Sequence, residues 1–210
     1  LKNLDDFHEI SDPSYLEISS EIKLGFEKES LRVSNFKIST ESHPNSLGSS
    51  LRNSFITTDF SEAQLELITP PMLGNHESKK FLDAVHHFVH KNINHEILWP
   101  LSMPPHINSE KEIPVARFGT SHEGFFKHIY RVGLENRYGK MMQSISGFHF
   151  NYSLPEKFWI NISESIALDA SKLRSMVYFN ILRNIYQLNW LIIYLFGASP
   201  VIDKKFLGSE

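Results

Sequence analysis

The sequence predicts an α+β domain built on a mainly antiparallel sheet. Stretches at 22–34, 55–69 and 143–154 alternate apolar and polar residues, the period of strands. Stretches at 75–97 and 163–196 place apolar residues three and four apart, the period of helices. Strands separated by long helical stretches fit this class.

In chain order, residues 1–20 read as a short helical lead-in. "IKLGFEKESLRVS" (22–34) alternates as a strand. The Ser-, Asn-, Gly- and Pro-rich segment 35–54 reads as loop. "FITTDFSEAQLELIT" (55–69) reads as strand, with a break near Phe60 and Ser61. In the 75–97 helix, Phe81, Leu82, Val85, Phe88 and Val89 form one stripe. Three prolines between 98 and 108 exclude regular structure there. Residues 113–139 start extended and turn helical from about Glu123. The 143–154 strand follows, then one long helix or two shorter ones over 163–196. The apolar run 176–196 carries Asn180, Arg183, Asn184, Gln187 and Asn189, which argues against a membrane span and for a buried amphipathic helix. Gly197 and Pro200 end it. Trp99 and Trp190 read as core, as does the Tyr/Phe stripe of 178–196.

The 210 residues are 41% hydrophobic and 21% charged, as expected of a folded globular chain. The net charge of −3 gives no electrostatic footing for nucleic acid. There is no cysteine, which excludes disulfides and thiolate metal sites and fits a cytoplasmic setting. The opening "LKNLDDFHEI" lacks the basic and apolar regions of a signal peptide. His86 and His90 have the i, i+4 spacing of metal ligands, but no HExxH pattern surrounds them. They read as a solvated helix edge.

Three strands share a feature. Glu27 and Glu29 fall on one face of the first with Leu31. Glu62, Gln64 and Glu66 fall on one face of the second, opposite Ala63, Leu65 and Leu67. His149, Asn151 and Ser153 fall on one face of the third, opposite Phe148, Phe150 and Tyr152. Periodicity alone leaves two readings, a solvated sheet face or a cation site. Neighbouring acids with few cations to pair with favour the second. Carboxylates with one His suit Mg²⁺ or Mn²⁺ serving a nucleotide. Neither a P-loop nor a GxGxxG fingerprint is present, so ATP would be held through metal and sheet.

The strings "GFEKESLRV", "HPNSLGSSL", "ITTDFSEAQLELITP", "LWPLSMPP", "FGTSHEGFFKHIYRVGLENRYG", "MQSISGFHFNYSLP" and "WLIIYLFGASP" resemble the proteobacterial glutamate–cysteine ligases, in order, from about residue 20 onward. The resemblance implies a glutamine synthetase-like catalytic fold. It implies ATP-dependent joining of the L-glutamate γ-carboxylate to the L-cysteine amine through γ-glutamyl phosphate. It implies metal-ligand roles for Glu27, Glu29, Asp59, Glu66 and His149, with Glu62 either a further ligand or structural. It also implies a cysteine pocket walled by Phe60, Tyr130, Leu134, Gln143 and Ile145. Arg131 would hold a substrate carboxylate as a catalytic residue, unless it is a surface arginine on a helix. Family members are longer. Residues 1–210 are therefore expected to be the N-terminal part of a single catalytic domain, inactive without a C-terminal half. The competing expectations are a non-catalytic remnant that binds without turnover and a related ligase with another amine acceptor.

Overall fold

The computed structural model describes residues 20–197 and 203–207. The expected lead-in helix falls almost wholly outside them. The chain divides into two compact units. One comprises Leu1–Leu24, Pro71–Glu77 and Asn151–Gly197, the other Gly25–Pro70, Ser78–Phe150 and Ala198–Glu210.

The larger unit is organised by β1 (Lys23–Ser34), a strand with many partners. β1 pairs antiparallel with β2 (Lys37–Ile38), with β4 (Gln64–Ile68) and with β6 (Ile97–Leu98). β3 (Ile56–Thr58) pairs antiparallel with β4. β7 (Phe148–Ser153) also joins β1. The predicted break in 55–69 is real: β3 and β4 are separated by 59–63. The third strand is shorter than its alternation predicts. Residues 140–143 form a helical turn, and only 148–153 are extended.

Alternation places Leu65 and Leu67 of β4 and Phe26 of β1 on one face of the sheet. Helix α1 (Asn75–Asn92) covers it with Leu82, Val85 and Val89. Burying each such side chain contributes about 1.5–3 kcal/mol. The same periodicity puts Glu27, Glu29 and Glu66 on the opposite face, which α1 does not cover. Farther along β1 that face turns apolar. Leu31 and Val33 pack with Phe60, Ile107 and Ile113, flanked by Leu134 of α2 (His122–Tyr138) and Met141 of α3 (Lys140–Gln143). Ser121 caps α2 by accepting from the Gly124 N–H.

The smaller unit contains α4 (Glu156–Ile166) and α5 (Ala170–Phe196), which pack through Trp159, Ile162 and Leu173. Ala167, in the left-handed region at φ 52°, ends α4. Asp169 caps α5 by accepting from the N–H groups of Ser171 and Lys172. Strand β5 (Met72–Leu73) pairs with the start of β1. No helix of the described residues is long and apolar enough to cross a membrane. The expectation that 176–196 is buried does not hold. Trp190 is 66% exposed, and Phe179, Tyr186 and Tyr194 are also exposed. Periodicity marks a stripe as apolar but does not supply the surface that covers it. The same holds for β7, whose Phe148, Phe150 and Tyr152 are exposed. Phe148 and Phe150 nonetheless lean on the Phe26 ring, with centroids 5.5 and 5.6 Å away. Trp99 meets its expectation in part. It packs against the core, and its indole N–H donates to the Met103 carbonyl.

A buried polar knot braces the larger unit. The Arg32 guanidinium reaches Glu96 at 2.5 Å and donates to the carbonyls of Glu41, Ser42 and Glu62. Removing one partner from such a knot strands the others away from water. Arg32→Met should therefore destabilise the chain by about 3–5 kcal/mol, the scale for breaking a buried pair. Urea unfolding measures this, and a midpoint equal to wild type would show that the knot carries no stability.

Candidate functional site

Three elements build the acid face within the larger unit. The β1–β4 register sets Glu29 directly opposite Glu66. Glu27 lies two residues back along β1, on the same side. Asp59 sits at the start of the break between β3 and β4, so it adds a carboxylate without occupying a strand. His149 of β7 comes between the acids. Its Nδ1 is 3.2 Å from a Glu27 oxygen, and its Nε2 is 3.8 Å from Glu29 Oε1.

The electrostatics follow from that crowding. Burial, then the charges of Asp59, Glu27 and Glu29, push the Glu66 carboxyl up to about 7. Burial raises Glu29 as well, against the pull of the Gly147 N–H. The hydrogen bond to Glu27 raises His149, so the imidazolium form is favoured beside these acids. Gly147 matters sterically. A Cβ there would come within 2.9 Å of His149 Nε2 and 3.6 Å of Glu29 Oε1.

Four carboxylates and one imidazole make a hard, oxygen-rich donor set that suits a divalent cation in kind. Asp59, Glu27 and Glu29 add to the shift that burial gives Glu66, so a cation beside them would ease part of it. In arrangement the donors stand in pairs, and among the described residues no three of them converge on one point.

The remaining expected residues are distributed as follows. Glu62 does not share the acid face. It lies before β4 and is only 6% exposed. Its two oxygens accept from the backbone N–H groups of His43 and Arg117, at 2.9 and 2.5 Å. Backbone donors thus occupy both carboxylate oxygens. Phe60 is 1% exposed, and in this structure it lies in the core rather than lining a surface. Leu134 packs against the same core. Tyr130 is 59% exposed and open to a ligand. Gln143 ends α3, and Ile145 follows it, both half-buried.

Arg131 is not a free surface arginine. Its Nε donates to the Asp59 carbonyl, and its Nη1 donates to the Lys127 carbonyl at 3.2 Å. Its Nη2 faces the Asp59 carboxylate at 3.9 Å, and its guanidinium stacks 4.5 Å from the Phe118 ring centroid. It therefore ties α2 to the residue that carries a site acid. His86 is not a solvated edge either. Its Nε2 lies 3.1 Å from Lys28 Nζ, and burial holds its pKa down at about 4. Gln64 and Gly147 were missed as site residues. Gln64 was visible on the acid face of β4, but its contact with Glu29 has no local sequence signal.

A family model described as glutamate–cysteine ligase matches residues 7–210. The chain is 42% identical over 193 residues to glutamate–cysteine ligase of Alcanivorax borkumensis, covering 90% of this chain and 37% of that protein. It is 43% identical over 201 residues to the ligase of Janthinobacterium sp., covering 94% and 38%. It thus spans less than two fifths of the length of these relatives. Among solved structures, it resembles a Francisella tularensis glutamate–cysteine ligase in complex with AMP. That match has TM-score 0.82 and 40% identity, covering 88% of this chain and 36% of the other. A bifunctional glutathione synthetase from Pasteurella multocida matches with TM-score 0.83 and 30% identity, covering 92% and 26%.

The Glu66 shift predicts a pH dependence. A carboxyl raised from 4.5 to about 7 binds its proton more tightly when folded. Its contribution to stability is complete below 4.5 and is lost as pH rises through about 7. Metal-free chain should lose stability from pH 4.5 to about pH 7, and Glu66→Gln should flatten that loss. Urea unfolding of both proteins in chelator tests this, and identical slopes would remove Glu66 from the coupled acids.

Proposed function

Because the chain belongs to the glutamate–cysteine ligase family, we propose that it carries the acid face of an ATP-dependent ligase joining the L-glutamate γ-carboxylate to the L-cysteine amine. Residues 1–210 form the N-terminal part of one catalytic domain in this reading. The observation that carries it is the set of acids crowded on one sheet face, with Glu66 raised to about 7. Cytoplasmic placement accords with the absence of cysteine.

A carboxylate is a poor electrophile, so an amine does not displace its oxygen directly. Transfer of the ATP γ-phosphoryl group to the γ-carboxylate makes an acyl phosphate, which the deprotonated amine attacks with loss of phosphate. Glu27, Glu29, Asp59, Glu66 and His149 would hold Mg²⁺ or Mn²⁺, which supplies positive charge to the phosphate oxygens. The chain's own residues prepare for this. Glu66 must give up the proton that crowding lets it keep. The Gly147 N–H holds one Glu29 oxygen at 2.7 Å. His149, which pairs with Glu27 through Nδ1, must likewise shed its extra proton, since only the neutral ring offers a nitrogen lone pair to a cation. Arg131 acts through Asp59, fixing the backbone that carries that carboxylate. Tyr130, Leu134, Gln143 and Ile145 form the side toward cysteine, with Phe60 packed behind them.

Activity is tested by joining residues 1–210 to the remainder of the Francisella tularensis ligase. With Mg²⁺, ATP and L-glutamate, the folded hybrid should release ADP in a cysteine-dependent manner. Glu66→Gln in the same hybrid should lower that rate on the order of 100-fold or more, the scale for losing one preorganised charge contact. A folded hybrid that releases no ADP, or an undiminished rate in the variant, would count against the proposal.

A further inference from the structure

Two donors converge on one oxygen of Glu29. The Gln64 side-chain Nε2 donates to Oε2 at 3.1 Å, and the Gly147 backbone N–H donates to the same atom at 2.7 Å. Two N–H donors use both lone pairs of that oxygen. Oε1 is left on the side of His149 Nε2, 3.8 Å away. Gln64 also donates to the Ile145 carbonyl at 3.3 Å, so one amide grips both Glu29 and the segment that leads into β7.

Packing does not explain a glutamine here. The side chain is fully buried, and its register partner is Leu31. A leucine or methionine would fill similar volume with no polar group to satisfy. Gln64 instead leaves its own Oε1 buried without a hydrogen bond. An unsatisfied buried carbonyl costs stability. A residue that costs stability while gripping a site acid is better explained by what it does for that acid.

We propose that Gln64 is a positioning residue of the acid face, locking Glu29 so that Oε1 alone is offered to a divalent cation. This rests on the reading that these acids hold such a cation. Freed of Gln64, the Glu29 carboxylate can turn and offer both oxygens, and the 145–149 segment loses a tie to β4.

The test uses the hybrid of residues 1–210 with the remainder of the Francisella tularensis ligase, Mn²⁺ as probe, and the variants Gln64→Met, Gln64→Leu and Glu29→Gln. Mn²⁺ affinity is read by electron paramagnetic resonance. Thermal stability is read without metal, and carboxylate coordination by infrared difference spectra with and without Mn²⁺. Gln64→Met and Gln64→Leu should bind Mn²⁺ about 10- to 100-fold more weakly, the range for losing a partner that orients a metal ligand. Their metal-free melting temperature should change little, because removing the orphaned carbonyl offsets the lost bonds to Glu29 and Ile145. The Glu29 infrared band should move from single-oxygen to two-oxygen coordination. A merely structural glutamine would give the reverse, with lowered stability and unchanged coordination. If Glu29→Gln weakens Mn²⁺ binding but both Gln64 variants stay within about twofold of wild type, the role of Gln64 is overturned alone. If both Gln64 variants unfold, the residue is structural and the proposal falls. If Glu29→Gln changes nothing, or wild type takes up no Mn²⁺, the cation reading falls and takes the Gln64 role with it.

Discussion

Mutual repulsion among carboxylates is the constraint on which this structure turns. The β1–β4 register leaves no escape from it, since Glu29 and Glu66 are direct cross-strand partners and like charges so placed destabilise a sheet. Burial raises Glu66 first, and Asp59, Glu27 and Glu29 add to it, so that it keeps its proton up to about 7. A face arranged in this way is poor for stability and well suited to attracting a cation. The fold tolerates it because the opposite face of the same strands is secured independently. There Leu65, Leu67 and Phe26 pack with Leu82, Val85 and Val89 of α1.

The break between β3 and β4 turns that crowding into a site. A continuous strand would fix the spacing of every acid on it. The break instead lets Asp59 join the acid face from outside the strands, and each of its neighbours is anchored. Arg131 holds the Asp59 carbonyl from α2. Phe60 fills the core beside Leu31 and Val33. Glu62 accepts two backbone N–H groups, while Arg32 holds its carbonyl from the far side of the sheet. Irregular backbone is thereby held by side chains from α2 and β1 and by the segment's own Phe60 and Glu62. That is what a carboxylate needs if it is to stay close to others that repel it.

Much of this was legible in sequence where the signal is local. The β1 strand, a break near Phe60 and Ser61, the α1 stripe and the turn to helix near Glu123 follow from periodicity and turn chemistry. The faces of Glu27, Glu29, Glu66 and His149 follow from alternation. What failed depended on distant partners. The 176–196 stripe looks like core because it is apolar, yet Tyr186 and Trp190 lie exposed. His86 looks like a solvated edge because its helix is polar there, yet Lys28 meets it from β1. The strand expected from 143 starts only at Phe148, after a short helix that ends at Gln143.

Glu62, Gln64 and Glu66 show where the limit lies. In sequence they are one pattern, three polar side chains two apart on one face. In the structure they do three different things. Glu66 is within a strand opposite another acid, so its charge is the matter at issue. Glu62 falls just before that strand, where the chain bends, and the backbone N–H groups of His43 and Arg117 capture its carboxylate. Gln64 lies between them, fully buried and in contact with Glu29. Alternation decides which side a residue faces. Whether it then caps a loop, supports a ligand or carries the charge is decided by segments 19 to 81 residues away in the chain, namely those of His43, Glu29, Arg117 and Ile145.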